Sequence, residues 1–367
     1  MTPKERMMTA LHGGKPDRLP ATIHQWQAYH LENFMNGCDQ LEAFLKTGLD
    51  ASVTPWVSQP LTSKNWIETR KPEPTPRIPN AVRTTVATPE GELSYVSAQD
   101  EFTSFLIEHP VKDEADMERF LNHWPGTTFD CEALAEWYER TGDHGIVRGF
   151  VTHWGQPGTW QDFVELVGTE DAILWALDEP EYIHSVLQRL TDIRVRYIHE
   201  QMTGGQWDLI EHGGGAASTT VISPAMFREF CIPYDKQVIA ALAEEGFPVA
   251  YHTCGGMKAI LEDIPENGCT ASETLSPPGV GGDLDESLRE EVKQVLGSKV
   301  ALIGGLDQGG ILTDGTPEQI GAEVRALFSS YGKDGGYICS ASDHFFTTPV
   351  GNLFAFAEAA RDCRYGY

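Results

Sequence analysis

Short apolar segments alternate with amphipathic helical patterns along most of this chain. The predicted strands are eight in number and span residues 20–26, 50–55, 145–150, 207–212, 248–253, 270–275, 300–305 and 335–342. Helical patterns lie between them, as in residues 223–246 and in residues 316–332, where Thr316 is placed to cap, Pro317 takes the first turn and Gly332 ends the helix. This alternation predicts an α/β fold of the (β/α)8 or TIM barrel type. An open doubly wound sheet is the second interpretation, although a glycine-rich phosphate loop that opens a helix is missing from the sequence.

One segment of the N-terminal third interrupts the alternation. Residues 70–82 are rich in proline and are predicted to form a surface connection. Two β-rich runs then flank the turn Pro89-Glu90-Gly91, which predicts a β-hairpin insertion near residues 80–105. We expect this hairpin to be part of a single domain that covers residues 1–367.

The charge and the cysteines restrict the classes of partner and compartment. With 54 acidic and 27 basic residues the formal net charge is −27, so the surface repels nucleic-acid phosphates and anionic lipids, and neither is an expected partner. No apolar run approaches the roughly 20 residues of a membrane span, and the first residues lack the apolar core of a signal peptide. The seven cysteines are scattered and odd in number, which favours a reducing cytoplasm over a disulfide framework.

Polar residues concentrate at the predicted carboxyl ends of the strands, where barrels of this type carry their chemistry. Glu273 lies inside an apolar strand, where a carboxylate needs a partner. The predicted catalytic residues are Glu273, His212 and Asp307, and the predicted substrate-binding residues are His24, Trp26, His153 and Gly214. The alternatives are a hydrogen-bonded structural role for each histidine, a helix cap for Asp307, and a tight turn for Gly214.

A metal site is predicted in the stretch VAYHTCGG, residues 249–256. His252 and Cys254 point to one face of the strand because alternate side chains do so. An imidazole and a thiolate are good zinc ligands, and a catalytic zinc takes a third protein ligand and keeps its fourth position open. The eighth strand offers His344, which lies at its end, then Cys339 or Asp343. The alternative for the cysteine is a small buried apolar role.

Several segments resemble the uroporphyrinogen decarboxylase superfamily, most clearly between residues 208 and 360. They are DRLP near the start, SPAMFREFCIPYDKQVI, HTCGGMKAILEDIPENG, ALIGGLDQGGIL and TTPVGNLFAFAEAA. The resemblance implies a (β/α)8 barrel. True decarboxylases of the superfamily carry an Arg-Gln-Ala-Gly-Arg segment after the first strand that binds porphyrinogen carboxylates, whereas this chain has HQWQAYHLENF there, without an arginine.

The resemblance therefore favours the cobalamin-dependent methyltransferase branch, which moves a methyl group between a corrinoid and an acceptor. That branch binds zinc through His-x-Cys and a strand-eight cysteine, which would align with residues 342–344 here; His344 is the first substitute, Cys339 the second and Asp343 the third. The resemblance implies zinc, a corrinoid as methyl carrier, a corrinoid carrier protein as partner, and a thiol or pterin as acceptor. A homodimer is left open. The alternatives are a decarboxylase-type lyase and a non-enzymatic barrel that binds a ligand or the carrier.

Overall fold

The computed structural model describes residues 1–366 and places fourteen strands in them. They are β1 (Ala21–Thr22), β2 (Ala51–Val53), β3 (Ser58–Pro60), β4 (Ile67–Pro72), β5 (Val82–Thr88), β6 (Gly91–Gln99), β7 (Ser104–Glu108), β8 (Thr127–Phe129), β9 (Gly145–Phe150), β10 (Leu209–Gly213), β11 (Val249–His252), β12 (Ala271–Thr274), β13 (Ala301–Leu306) and β14 (Tyr337–Ala341). Eight of these form one parallel sheet in the order β1-β14-β13-β12-β11-β10-β9-β2. The prediction of a (β/α)8 barrel is confirmed.

Helices connect the barrel strands and pack around them. The α-helices are α1 (Pro3–Leu11), α2 (Ala28–Phe34), α3 (Gln40–Thr47), α4 (Glu114–His123), α5 (Cys131–Thr141), α6 (Thr159–Val167), α7 (Thr169–Asp178), α8 (Pro180–Tyr197), α9 (Pro224–Met226), α10 (Ile232–Glu244), α11 (Arg289–Val295), α12 (Pro317–Leu327) and α13 (Val350–Asp362). Over residues 1–366, none of them combines the length and the apolar character that crossing a membrane requires.

The seam between the first two barrel strands is closed by a carboxylate. The Asp50 amide donates to the Ala21 carbonyl at 2.8 Å, and the Asp50 side chain accepts from the Ala21 amide at 3.0 Å. Asp50 is buried and also accepts from Arg6 at 2.7 Å and from Arg18 at 2.9 Å. A buried carboxylate is stable only when such partners surround it, so this network both closes the barrel and fixes α1 against it.

Helix α1 covers the amino-terminal end of the barrel. Its buried Met7, Ala10 and Leu11 form one apolar cluster with side chains from the barrel strands, among them Ile146 and Ala301. The Thr2 side chain accepts from the Glu5 amide and the Glu5 side chain accepts from the Thr2 amide, a capping box that fixes where α1 begins. Because this end is covered, ligands reach the barrel at the carboxyl ends of the strands.

The insertion is larger than the predicted hairpin. Strands β5 and β6 pair antiparallel around Pro89 and Glu90 as expected, and β4 and β7 add to their two edges, which gives a four-stranded sheet. Residues 70–72, predicted as connection, belong to β4. Every residue of β4 is exposed, so the strand lacks the alternation of apolar and polar residues by which strands are recognised.

The two predicted helices are present, and each contains a π-helical segment. Residues 223–246 begin at the Ser223 cap but contain a π-helical segment, Phe227–Cys231, just before Pro233, and proline removes a backbone donor from such a turn. In residues 316–332, Thr316 caps α12 as predicted, and Gly332 lies in a final π-helical turn.

Candidate active site

A cavity of about 570 Å³ opens at the carboxyl ends of the barrel strands. Apart from Thr103 and the aromatic and proline side chains, most of its lining comes from the carboxyl ends of β10 and β11 and from the segments that follow β1, β9, β10, β11, β13 and β14. These residues are His24, Gln25, His153, Gln156, Glu211, Gly213, Gly214, His252, Cys254, Gln308, Asp343 and His344. The predicted positions His24, His153, Gly214, His252, Cys254 and His344 are thus brought to one place.

His252, Cys254 and Asp343 form one of three groups of metal-ligand residue types at the cavity, and the one that contains a thiol. One donor atom of each lies within 4.8 Å of the others. His252 is the last residue of β11 and Cys254 follows two residues later, while Asp343 comes from the segment after β14. The imidazole Nδ1 of His252 lies 3.1 Å from Glu273 Oε1, which leaves Nε2 for a metal, as in the carboxylate–histidine pairs that orient metal ligands.

The groups that surround His252 are mostly negative and favour a positive charge at its position. Burial by itself lowers the pKa of His252, but Cys254 and the carboxylates of Glu273 and Glu211 outweigh burial and hold this pKa well above its ordinary value. A positive charge is thus strongly favoured at this position. A metal cation would satisfy the same surroundings without a proton.

Below the cavity lies a buried arginine between two carboxylates. Arg148 of β9 donates through one guanidinium nitrogen to Glu211 Oε2 and to Glu273 Oε1, both at 2.7 Å. The three side chains are almost completely buried. Burial and the neighbouring Glu273 raise the pKa of Glu211 to about 7. The pKa of Glu273 is lowered instead, because Arg148 and His252 outweigh the effect of burial.

His24 and His344 lie beside this group. The His24 ring is 4.9 Å from that of His252 and 5.0 Å from that of His344, measured between centroids. Burial lowers the pKa of His24 to about 3. His344 Nδ1 contacts the Gln27 side-chain amide at 3.0 Å. His344 groups with His24 and Asp343 but not with His252 and Cys254, so the geometry favours Asp343 over His344 as the third ligand.

Five predicted site residues do not line the cavity: Glu273, which lies below it and is bonded to Arg148 and His252, and four others. His212 lies next to Glu211 on β10 and therefore points to the other face of the sheet, where its Nε2 pairs with Asp235 of α10 at 2.8 Å. Asp307 caps the turn after β13 by accepting from the amides of Gly309 and Gly310.

The other two are Trp26 and Cys339. Trp26 is buried against Phe44 and Phe345, since the preceding Gln25 takes the cavity-facing position. Cys339 is completely buried in the barrel wall, and burial raises its pKa to about 12. The capping role of Asp307 is the alternative given for it above, and none of the four side chains lines the cavity.

The two glycines after Glu211 allow close packing at the cavity floor. A Cβ on Gly214 would lie 2.6 Å from Gln161 Oε1. At Gly213, φ is 111°, and a Cβ would lie 2.5 Å from the His252 carbonyl oxygen. A larger side chain at Gly213 would displace His252, so this glycine positions the candidate ligand, while Gly214 makes room for Gln161.

Aromatic side chains surround the mouth. Trp56 is 69% exposed and stacks on Phe150 with 5.8 Å between centroids. The tip of the inserted sheet, residues 100–103, reaches over the mouth: Phe102 packs 4.8 Å from Phe346 and 4.8 Å from Tyr29. Thr103 of the same tip lines the cavity. The insertion therefore forms part of the entrance.

The residues present fit a zinc ion. Nitrogen, sulfur and carboxylate oxygen are the donor types that zinc takes in catalytic sites, and three protein ligands with an open fourth position are usual there. A second group, His24, Glu211, His252 and Glu273, is also compact. Arg148 already supplies the positive charge to both carboxylates of that group, so His252, Cys254 and Asp343 are the candidate metal ligands.

Arg148 and Glu211 are the residues that the sequence analysis missed. An arginine in the apolar strand GIVRGF needs a buried partner for the same reason as Glu273, so this signal was available. For Glu211 the signal is ambiguous, because His212 is its neighbour. The sequence pattern does not determine where the strand ends, and therefore does not determine which of the two residues faces the cavity.

Comparison with known proteins gives a consistent picture of the fold and a divided one of the activity. A family model described as uroporphyrinogen decarboxylase (URO-D) matches residues 103–363. A uroporphyrinogen decarboxylase of Coxiella burnetii is 27% identical over 191 residues, which are 50% of this chain and 48% of that protein. A methylated-thiol–coenzyme M methyltransferase of Methanosarcina mazei is 25% identical over 199 residues, 54% of this chain and 49% of that protein. These matches span about half the length of each relative.

A solved methyltransferase structure from Methanosarcina mazei superposes over the whole chain. The TM-score is 0.67 with 16% identity, and the alignment covers 99% of both chains. At this identity the similarity establishes the barrel fold and the course of the chain, including the segments that carry the cavity.

Proposed function

The chain belongs to the uroporphyrinogen decarboxylase family, and from this we propose that it is a zinc-dependent methyltransferase that moves a methyl group between a corrinoid and a thiol or pterin acceptor. The observation that carries the proposal is the group of His252, Cys254 and Asp343 at the cavity. The similarity to a methyltransferase that acts on a methylated thiol supports the same reaction class.

The roles of the side chains follow from their contacts. Zinc, when bound, would hold an acceptor thiol as the thiolate, which is the nucleophilic form. Glu273 fixes the orientation of the His252 ring through Nδ1, and Arg148 fixes both Glu273 and Glu211. His24, His153 and Gly214 shape the wall against which the small molecule lies.

Glu211 is the best placed group to accept the proton of an entering thiol. Its carboxylate lines the cavity, and burial raises its pKa to about 7, which suits exchange of a proton near neutral pH. Glu273 is less suited, since its pKa is lowered. His212 and Asp307 do not line the cavity, so we propose structural roles for both.

The wider setting is proposed on the same basis. We take residues 1–367 as one domain, because one sheet gathers strands from β1 to β14. A corrinoid carrier protein is the proposed partner at the mouth, and a homodimer remains a proposal that oligomer analysis can test. The seven cysteines form no disulfide in residues 1–366, which agrees with a cytoplasmic location.

A decarboxylase-type lyase is the second candidate function, favoured by the decarboxylases among the relatives. Against it, no lysine or arginine of the described residues 1–366 lines the cavity, whereas a porphyrinogen with many carboxylates needs such partners. The third candidate is a barrel that binds a ligand or the carrier without catalysis. It does not account for the two buried carboxylates or for the metal-ligand residue types beside them.

Metal content and methyl transfer test the proposal together. We expect stoichiometric zinc in the purified protein, and its loss in His252→Ala, Cys254→Ala and Asp343→Ala with the barrel still folded by circular dichroism. His344→Ala is the matched variant that should keep zinc, and Cys339→Ser should keep it as well. Zinc retained by Asp343→Ala and lost by His344→Ala would transfer the third ligand to His344.

The activity assay uses methylcobalamin with coenzyme M, homocysteine, tetrahydrofolate, 2-mercaptoethanol or 2-aminoethanethiol. Zinc should accelerate the loss of the methyl–cobalt absorbance with at least one acceptor, with the zinc-stripped protein as control. Loss of carboxylates from uroporphyrinogen, together with no methylated acceptor, would establish the decarboxylase alternative.

A further inference from the structure

The lining of the cavity carries carboxylates and, in residues 1–366, no lysine or arginine. The carboxylates are those of Glu211 and Asp343. The nearest guanidinium is that of Arg148, which is buried and bonds both Glu211 and Glu273. It is therefore not presented to a ligand in the cavity.

Bound metal does not reverse this charge. A divalent ion together with Arg148 balances three of the four negative charges on Cys254, Asp343, Glu211 and Glu273. With Glu211 ionised, one negative charge remains in a cavity of about 570 Å³. An anionic group that enters would meet net repulsion and no hydrogen-bond donor of opposite charge.

Aromatic side chains at the mouth also disfavour anionic molecules. Trp56 and Phe150 stack at the entrance, and Phe346 lines the opposite part of the cavity. The faces of aromatic rings carry partial negative charge, so they attract ammonium groups and disfavour anions.

We infer that the cavity selects its small molecule by charge: the acceptor is a thiol with an uncharged or positively charged tail, and thiols with a sulfonate or carboxylate tail are rejected. The thiol itself rests on the proposed function, whereas the charge selection rests on the lining. The relevant comparison is between thiols of one size that differ in the charge of the tail.

The first experiment measures binding to the zinc-loaded protein by titration calorimetry at low ionic strength, without a methyl donor. The probes are 2-aminoethanethiol, 2-mercaptoethanol and 2-mercaptoethanesulfonate. The cationic thiol should bind at least about tenfold more tightly than the sulfonate, since one unit charge about 5 Å away acts on the two tails with opposite sign. Equal or tighter binding of the sulfonate overturns the inference.

The second experiment measures the same selection without metal. Methanethiosulfonate reagents with these three tails modify Cys254, the half-buried cysteine of the cavity: its thiolate attacks the reagent sulfur, a disulfide forms, and methanesulfinate leaves with the electron pair of the broken bond. Cys131→Ser removes the exposed cysteine. Relative to a free thiol, the cationic reagent should react at least about tenfold faster than the anionic one.

A lysine placed in the lining should reverse the preference. Gln156 is exposed and lines the cavity, so Gln156→Lys adds a cation without burying it, and the cation-to-anion rate ratio at Cys254 should fall about tenfold. Gln294→Lys is the control, because it makes the same change of net charge on α11. Gln294 lines a separate cavity, together with Leu11 and His12 at the end of α1, so this variant should leave the ratio unchanged. An unchanged ratio in Gln156→Lys overturns the inference.

The two experiments separate the inference from the proposed function. If no thiol binds the zinc-loaded protein while the reagents keep their charge preference, the thiol chemistry fails and the charge selection stands. If thiols bind and methyl transfer proceeds without any charge preference, the charge selection alone is refuted.

Discussion

Arg148 connects the two carboxylates beneath the cavity, and its position explains why both tolerate burial. One guanidinium nitrogen donates to Glu211 and Glu273 at 2.7 Å each. Two adjacent buried carboxylates repel each other, and a shared cation offsets that repulsion together with part of the desolvation. The orientation of His252 depends on the same network through Glu273.

Replacing Arg148 by methionine should therefore destabilise the protein strongly. Loss of one partner from a buried ion pair costs about 3–5 kcal/mol, because the remaining charges are left without compensation. Urea unfolding of Arg148→Met measures the change in free energy. Arg228→Met is the control, since Arg228 pairs with Asp263 at the exposed surface and should give little change. Equal unfolding midpoints for wild type and Arg148→Met would contradict this assignment.

At the scale of single residues, the sequence predicted the neighbourhood of the site better than its exact members. His252, Cys254 and His24 could be predicted because barrel chemistry gathers at strand ends. The pairs Glu211–His212 and Gln25–Trp26 show the limit: adjacent residues face opposite sides, and a shift of one position in the strand end exchanges their roles. The proposed choice of Asp343 over His344 as third ligand depends on the same shift of one position.

Among the elements, α1 combines a covering role with an electrostatic contact to the segment that follows it. Arg6 of α1 donates to Asp17 at 2.7 Å and also to Asp50 at the barrel seam. Burial alone raises the pKa of Asp17, but the bond to Arg6 outweighs burial and lowers this pKa to about 2. The helix is thus held to the segment that follows it by a carboxylate that stays ionised in mild acid.

This contact predicts a pH-dependent stability. The folded pKa of Asp17 is below its unfolded value of about 3.9, so its contribution is complete above about pH 4 and is lost as the pH falls toward about 2. Because Asp17 is 32% exposed, we expect only about 1 kcal/mol after screening. Asp17→Asn should unfold more easily than wild type at neutral pH, and the difference should vanish near about pH 2. A difference that is constant with pH would exclude Asp17 as its source.

At this scale, the barrel could be predicted from the sequence and the insertion only in part. The barrel strands are apolar and recur with helical patterns between them, so their pattern is strong. Strands β4 and β7 carry mostly exposed residues and pair only with β5 and β6. Such edge strands are stabilised by their neighbours and not by burial of an apolar face, so no periodicity marks them.

For the whole molecule, the dominant property is the excess of acidic residues, with a net charge of −27. Like charges spread over one surface repel each other and work against the compact state. Local ion pairs such as Arg189 with Glu118 offset only a small part of this repulsion.

Added salt should consequently stabilise the protein. Between about 10 mM and about 150 mM sodium chloride the screening length falls from roughly 30 Å to roughly 8 Å, and we expect the thermal midpoint to rise by about 1–2 °C, which is about 1 kcal/mol for a protein of this size. The measurement is made in a metal chelator, so that zinc binding does not vary. A midpoint that stays constant or falls would show that attractive pairs outweigh the repulsion.

The inserted sheet reaches the entrance through Phe102 but shares no strand pairing with the barrel. Mutations that change the length or the side chains of its tip can therefore accumulate without disturbing the hydrogen bonds on which the barrel depends. Natural selection can vary admission to the cavity separately from the ligands on the strands. Proteins that descend from one barrel can in this way change which small molecules they admit while they keep the same reaction chemistry.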